Sequence, residues 1–235
     1  MNTETVKALL LMAAGNDPKR AGEIADYLGV EDQQKPAENP LFAPVGSNTI
    51  EDGIYLVYGT GRSFKKYTPG TVTELDKEQV TGIGVKLGSK SLVVDLFDLE
   101  GGEELTLTTA KSPADYDKAA YLDTCEDAGA DWNGKANTAR LQAAGLLNPR
   151  IADELNDGQY VPAMGEMLFV HLFRKEINQA LREAGGDEIP ATWYWTSTEY
   201  SASYAWRLGL SSGYMYGYTK ASYKHRVRAV SAFIS

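Results

Sequence analysis

A chain of 235 residues holds enough material for one large domain, or a small and a medium one, each with a packed core. Its composition, 43% hydrophobic and 23% charged, is that of an ordinary globular protein rather than a disordered or membrane-embedded one. The formal net charge of -9 argues against a nucleic-acid partner, because affinity for phosphate rests on clustered Lys and Arg.

Cys125 is the single cysteine, which excludes an intrachain disulfide. The first residues lack a charged region followed by an apolar stretch and a cleavage site, and no window reaches the run of about eighteen apolar residues that spans a bilayer. The expectation is a protein made in the cytoplasm without a signal peptide and without membrane insertion. Work outside the cell would then require association with a virus particle or another route.

In chain order, residues 1–32 read as a helical N-terminal segment of two short helices, VKALLLMAAG and KRAGEIADYLGV, broken at 16–18. No basic recognition helix follows, so a structural or oligomerising pair is expected rather than a DNA-binding one. Residues 33–52, with Pro36, Pro40 and Pro44, read as a linker. From Gly53 the period shortens: GIYLVYG and SFKKYT predict a hairpin, QVTGIGVKLG and KSLVVDLFDL predict strands joined at Gly88 and Ser89, and GGEELTLTT predicts a further short strand. Helices are predicted over 115–129 and 135–145, the second capped by Asn133 or Asn137. A single long helix is predicted within 160–186, with Leu168, Phe169, Leu172, Phe173, Ile177 and Leu181 on one stripe and Gly185 with Gly186 at its end.

Residues 192–235 carry seven of the fourteen tyrosines, three of the four tryptophans and eight serines. Tyr and Trp supply large, stiff, half-polar contact area, and Ser and Gly add adaptable hydrogen bonding, so this composition suits a binding surface. Tyr214, Tyr216 and Tyr218 are spaced by two, which in a strand turns all three phenols to one face. A core strand lined by tyrosines has the same spacing. The neighbours Ser211, Ser212, Gly213, Gly217, Thr219 and Ser222 cannot bury three rings, which favours an exposed patch. The five Lys or Arg of this stretch, Arg207, Lys220, Lys224, Arg226 and Arg228, face only Glu199. They are expected to be solvated edge residues, although beside tyrosines they could favour an acidic ligand.

YWTSTEY at 194–200, AW at 205–206 and RVRAV at 226–230 resemble the variable region of diversity-generating retroelement target proteins, a phage and gut-bacterial family with a C-type lectin fold. WNGKANT at 132–138 and PAMGE at 162–166 are similar to stretches that introduce helices in that family. The resemblance covers about 53–235 and implies an α+β, C-type lectin-like domain in which two helices flank a twisted, mainly antiparallel sheet. It also implies a variable region, at about 192–230, whose contact residues are rewritten by mutagenesis of adenines in a template rich in Asn codons.

Such rewriting reaches Tyr, Ser, Gly, Arg and His among others, and never Trp, Met, Glu, Lys or Gln. Ser201, Ser203, Tyr204, Arg207, Gly209, Ser212, Tyr214, Tyr216, Tyr218, Ser222, Tyr223 and His225 obey that rule as the candidate ligand-binding positions. They interleave with Trp195, Glu199, Trp206, Met215, Lys220 and Lys224, which the rule makes fixed, and there is no Asn from Thr192 onward. Trp195, Trp206, Arg226, Val227 and Val230 are expected to hold the scaffold.

No Walker-type glycine loop, Gly-x-Ser-x-Gly elbow or His-Glu-x-x-His is present, and nothing in the order of residues sets a pair such as Asp153 and Glu154 across a cleft. The related fold of formylglycine-generating enzymes depends on a cysteine pair that Cys125 alone cannot supply. Asp131, Trp132 and Asn133 are similar to a calcium signature of animal lectins in scrambled order, and His171 and His225 lack ligand spacing. The expectation is a binder without catalytic residues, cofactor or metal, taking a protein or glycan target on a surface such as a bacterial cell. A lectin-like module of fixed specificity is one alternative. A virion or adhesin subunit that uses the tyrosine face in a homo-oligomer is the other.

Overall fold

Short turns between apolar runs build the first sheet in the computed structural model, which describes residues 50–59 and 63–233. The expected N-terminal helical segment, and all of the expected linker up to residue 49, lie outside the described residues. Strand β1 (Gly53–Tyr58) pairs antiparallel with β2 (Ser63–Lys66) on one side and with β3 (Val80–Leu87) on the other. Gly88, at φ 55, then supplies the left-handed turn residue that returns the chain into β4 (Lys90–Asp98). These strands and the Gly88–Ser89 turn are as the sequence predicts. Between β2 and β3 stands an unexpected helix, α1 (Glu74–Gln79), whose capping box joins Thr73 and Asp76.

The middle of the chain departs further from expectation. The helix predicted over 115–129 shrinks to α2 (Cys125–Ala130), preceded by a 3-10 turn at Lys118–Ala120. Its first part is held in a loop because the Tyr116 hydroxyl donates to buried Glu199 at 2.6 Å and Ser112 N–H donates to the Ala202 carbonyl at 2.8 Å. GGEELTLTT forms isolated bridges, Leu105 to His225 and Thr108 to Leu147, rather than a strand. Its alternation is genuine, with Leu105 and Leu107 buried, but no strand runs alongside it. Helix α3 (Gly134–Ala143) lies where the pattern puts it, with Asn133 at its N-cap position, and α4 (Pro149–Glu154) adds a turn opened by Asn148 and Pro149.

The long helix expected at 160–186 is two helices, α5 (Met164–Leu172) and α6 (Arg174–Ala184), parted at Phe173 (φ -103, ψ 12), and residues 159–160 are strand β5 (Gln159–Tyr160). The two helices have different surroundings. α5 buries Met164, Gly165, Glu166, Met167, Phe169 and Val170, which cover most of its circumference, whereas α6 buries only the stripe Ile177, Ala180, Leu181 and Ala184 against β1 and β3. Phe173 itself is buried and meets Phe169 edge to face at 5.1 Å, so the break seats an aromatic ring in the core.

Strands β6 (Trp193–Glu199), β7 (Tyr204–Gly209) and β8 (Tyr214–Thr219) form a second, three-stranded antiparallel sheet. The chain then returns as β9 (Arg228–Ser231) into the first sheet, whose order is β2-β1-β3-β4-β9-β5. The architecture is α+β with antiparallel sheets. One core fills the space between β1, β3, β4 and the helices α5 and α6, and includes Tyr194, Trp206 and Leu208 from the second sheet. Another gathers Leu105, Leu107, Leu141, Ile151, Trp195 and Val227. No helix among the described residues is long and apolar enough to cross a membrane.

Candidate functional site: the outer face of the second sheet

Alternation along the three strands decides which side chains face outward. Tyr214 is paired with Gly209 and Gly209 with Trp193; Tyr216 is paired with Arg207 and Arg207 with Trp195. Tyr214, Tyr216, Tyr218, Arg207, Trp193 and Trp195 therefore share one face, and Tyr194, Trp206, Leu208 and Met215 pack inward from the other. The three phenols form a continuous row, with ring centroids 6.1 Å apart from Tyr214 to Tyr216 and 5.9 Å from Tyr216 to Tyr218. Tyr214 is 58% exposed and Tyr216 45%, whereas Tyr218 is half-buried, with its ring edge-on to Tyr223 at 4.1 Å.

Arg207 stands in the middle. Its guanidinium lies 4.0 Å over the Trp193 ring, 4.1 Å over Tyr218 and 5.7 Å over Tyr216, an aromatic setting that suits a flat, weakly hydrated cation. Nη1 donates to His225 Nε2 at 2.9 Å. A guanidinium cannot accept, so His225 Nε2 presents its lone pair and the neutral ring carries its proton on Nδ1. Burial, reinforced by the nearby Arg207 charge, pulls the His225 pKa down to about 4. Burial also lowers the Arg207 pKa, against the pull of the surrounding phenols.

The predicted positions differ in place and in burial. Arg207, Tyr214, Tyr216, Tyr218, Tyr223 and His225 are brought together, with Ser212 and Ser222 exposed at the two ends of β8. Ser201, Ser203 and Tyr204 sit apart at the β6–β7 turn, where Tyr204 contacts Tyr200 rather than the tyrosine row. Gly209 and His225, expected on the surface, are buried. A side chain at Gly209 would meet the Trp193 ring at 3.2 Å, and His225 is held down by two backbone hydrogen bonds to Leu105 while its ring lies 4.7 Å from Trp195. Trp193 was absent from the predicted set although it forms the floor beneath Arg207; its place two residues before Trp195, on the same strand face, was the available signal.

Four scaffold positions are buried: Trp195, Trp206, Val227 and Val230. Trp195 donates through its indole N–H to the Leu105 carbonyl at 2.8 Å and Trp206 to the Leu122 carbonyl at 2.6 Å. Half-buried Arg226 donates to Asp98 at 3.0 Å.

The expectation of solvated edge cations holds for exposed Lys224 alone: Arg207 lies half-buried on the central strand, Arg226 is half-buried against Asp98, and the other two are buried. Arg228 is buried and donates to Asp98 at 2.5 Å. Lys220, fully buried, pairs with fully buried Glu199 and donates to Ser112 at 2.7 Å, while Glu199 accepts from Tyr116. This pair ties the end of β8 to the end of β6 at one edge of the tyrosine row.

Asp131 is likewise a tether, accepting from Asn133 N–H at 2.9 Å, Asn137 Nδ2 at 2.7 Å and Thr198 Oγ1 at 2.7 Å. Its oxygens are thus engaged by the protein. Among the described residues no group of three His, Cys, Asp or Glu could hold a metal ion, and Asp153 and Glu154 are exposed on α4. What the outer face can do chemically is present phenol hydroxyls, ring edges and one aromatic-framed guanidinium. No protein-family model and no curated protein matches this chain.

Proposed function

We propose that this chain is a ligand-recognition protein of C-type lectin-like fold that binds a protein or glycan target, such as one on a bacterial cell surface, through the outer face of the second sheet. We further propose that residues of this face are diversified by a retroelement. The carrying observation is how burial divides the positions that the sequence marks as fixed or as variable, and not residues 192–230 as a whole, where Tyr194, Thr196, Ser197, Thr198 and Leu208 are of reachable types and buried. Trp195, Glu199, Trp206 and Lys220, of types that rewriting an Asn codon cannot produce, are buried, while Tyr204, Ser212, Tyr214, Tyr216, Ser222 and Tyr223, of types it can produce, are exposed. Exposed Lys224 and buried Gly209 and His225 depart from that division. Exposed tyrosines on a sheet whose opposite face is locked into the core suit a surface that changes its contacts without changing its fold.

Binding rather than catalysis is favoured by the groups on the face. The imidazole of His225, the group there best suited to move a proton, is buried and bonded to Arg207. The test is to sequence the encoding gene across a single population. Substitutions confined to codons such as those of Tyr204, Tyr214, Tyr216, Tyr218 and Tyr223, with the tryptophan codons constant, are expected. A uniform sequence would remove diversification and leave a module of fixed specificity or a structural subunit.

A further inference from the structure

Resting on that reading of the outer face, we infer that its partner is a protein surface that inserts an acidic side chain, Asp or Glu, against Arg207. The first ground is charge. Arg207 is half-buried and forms no ion pair among the described residues, whereas Arg226 and Arg228 share Asp98 and Lys220 pairs with Glu199. Its single hydrogen bond is to a neutral imidazole, and its Nε is buried without a partner. The enclosed Nε lies out of an external partner's reach, but a carboxylate, which can engage outer guanidinium nitrogens and supply the missing counter-charge, is the group that best answers a half-buried guanidinium with no ion pair. Arg207 thus stands on this face as a positive charge without an ion-pair partner, in a chain of net charge -9, so an acidic group would be drawn to it and repelled elsewhere.

The second ground separates a protein from a glycan. Sugars bind aromatic residues by laying their C–H faces on an open ring face. Around Arg207 those faces are used internally: the guanidinium covers Trp193 and Tyr218, and Tyr218 also packs against Tyr223. Beside the guanidinium the face therefore offers ring edges and hydroxyls, which suit the mixed polar and apolar relief of a protein surface.

The experiment uses the full chain and a displayed library of a small scaffold protein with one fully randomised loop. Selected binders are first sorted by whether the double variant Y214S/Y216S abolishes binding, which identifies those that occupy the outer face. Among them, an Asp or Glu recurring at one loop position is expected. Affinity should fall at least tenfold with Arg207→Gln and less with Arg207→Lys, and binding should weaken as salt is raised. Thermal unfolding of both variants separates lost contact from lost fold.

Face-dependent binders without a recurring acid, indifferent to Arg207→Gln, would overturn this inference and leave the binding face standing. Failure to obtain any binder sensitive to Y214S/Y216S would count against the face itself. A glycan array on which acidic sugars bind through Arg207, with no acidic-loop binder emerging, would replace the protein partner with a carbohydrate.

Discussion

At the scale of single residues, the tyrosine row is not uniform. Tyr214 and Tyr216 are exposed, so replacing either by Ser should change stability by no more than about 0.5 kcal/mol. Tyr218 also packs on Tyr223 and beneath the Arg207 guanidinium, and Tyr218→Ser should cost on the order of 1–2 kcal/mol in urea unfolding. Equal, negligible costs at all three positions would show that the Tyr218 contacts contribute nothing. The spacing of two put the three rings on one face correctly. It could not grade their burial, because that depends on residues 219–225 folding back over one end of the row.

His225 gives the molecule a pH signature. Its folded pKa, near 4, lies below the usual value of 6.5, so between those values the unfolded chain binds more protons and the native state is weakened as pH falls. The loss should approach about 3 kcal/mol by pH 4. Glu166 acts in the opposite direction. Burial raises its pKa to about 7, so the folded state binds the extra proton between 4.5 and 7 and is weakened as pH rises through that window. The two slopes oppose each other from 4.5 to 6.5, and wild-type stability there should be nearly flat. His225→Gln should expose the Glu166 slope, with unfolding free energy decreasing from pH 4.5 to 7. A His225→Gln variant with the same profile as wild type would disprove this assignment.

At the scale of elements, β6 joins the outer face to the rest of the fold. Its TSTE segment is polar throughout, yet Thr196, Ser197, Thr198 and Glu199 are all buried. Each is satisfied: Thr196 donates to the Trp206 carbonyl at 2.8 Å, Thr198 bridges Asp131 and the Met164 N–H, and Glu199 meets Lys220, Ser112 and Tyr116. Polar residues can be buried here only because partners distant in sequence arrive to meet them, and a local pattern holds no record of such partners. The same limit explains why Lys220 read as a surface charge. Lys220→Met alone should cost about 3–5 kcal/mol, since it strands the Glu199 charge, and adding Glu199→Gln should recover much of the loss. Strictly additive costs in that double-mutant cycle would show that the pair is not coupled.

At the scale of the whole molecule, the broad class was legible and several element boundaries were not. The strands β1 to β4 carry their own alternation and turns, and the sequence places them well, whereas β6, β7 and β9 were not delimited by it. The division of the long helix at Phe173 escaped because an apolar run looks continuous whether it is enclosed on all sides or lies on a sheet. The outer-face residues were recognisable as a group by composition. Which of them cluster around Arg207, and that Trp193 is their floor, emerged only from the register of three strands. A protein that binds through this face should keep its melting temperature within a few degrees when the exposed positions Tyr214, Tyr216, Ser212 and Ser222 are changed together to Ala, while losing its partner. A cooperative collapse would place those side chains in the stabilising core.

The location of β9 between β4 and β5 has a kinetic consequence. The first sheet cannot be completed until residues 228–231 are available, so everything from β5 to β9 must be enclosed in a loop before the fold closes. The entropic cost of enclosing that loop grows with its length and is nearly indifferent to which side chains line its outer surface. Exchanging tyrosines for serines on β8 therefore leaves the slow, long-range step of folding unchanged, and a population of chains differing only there should refold at a common rate.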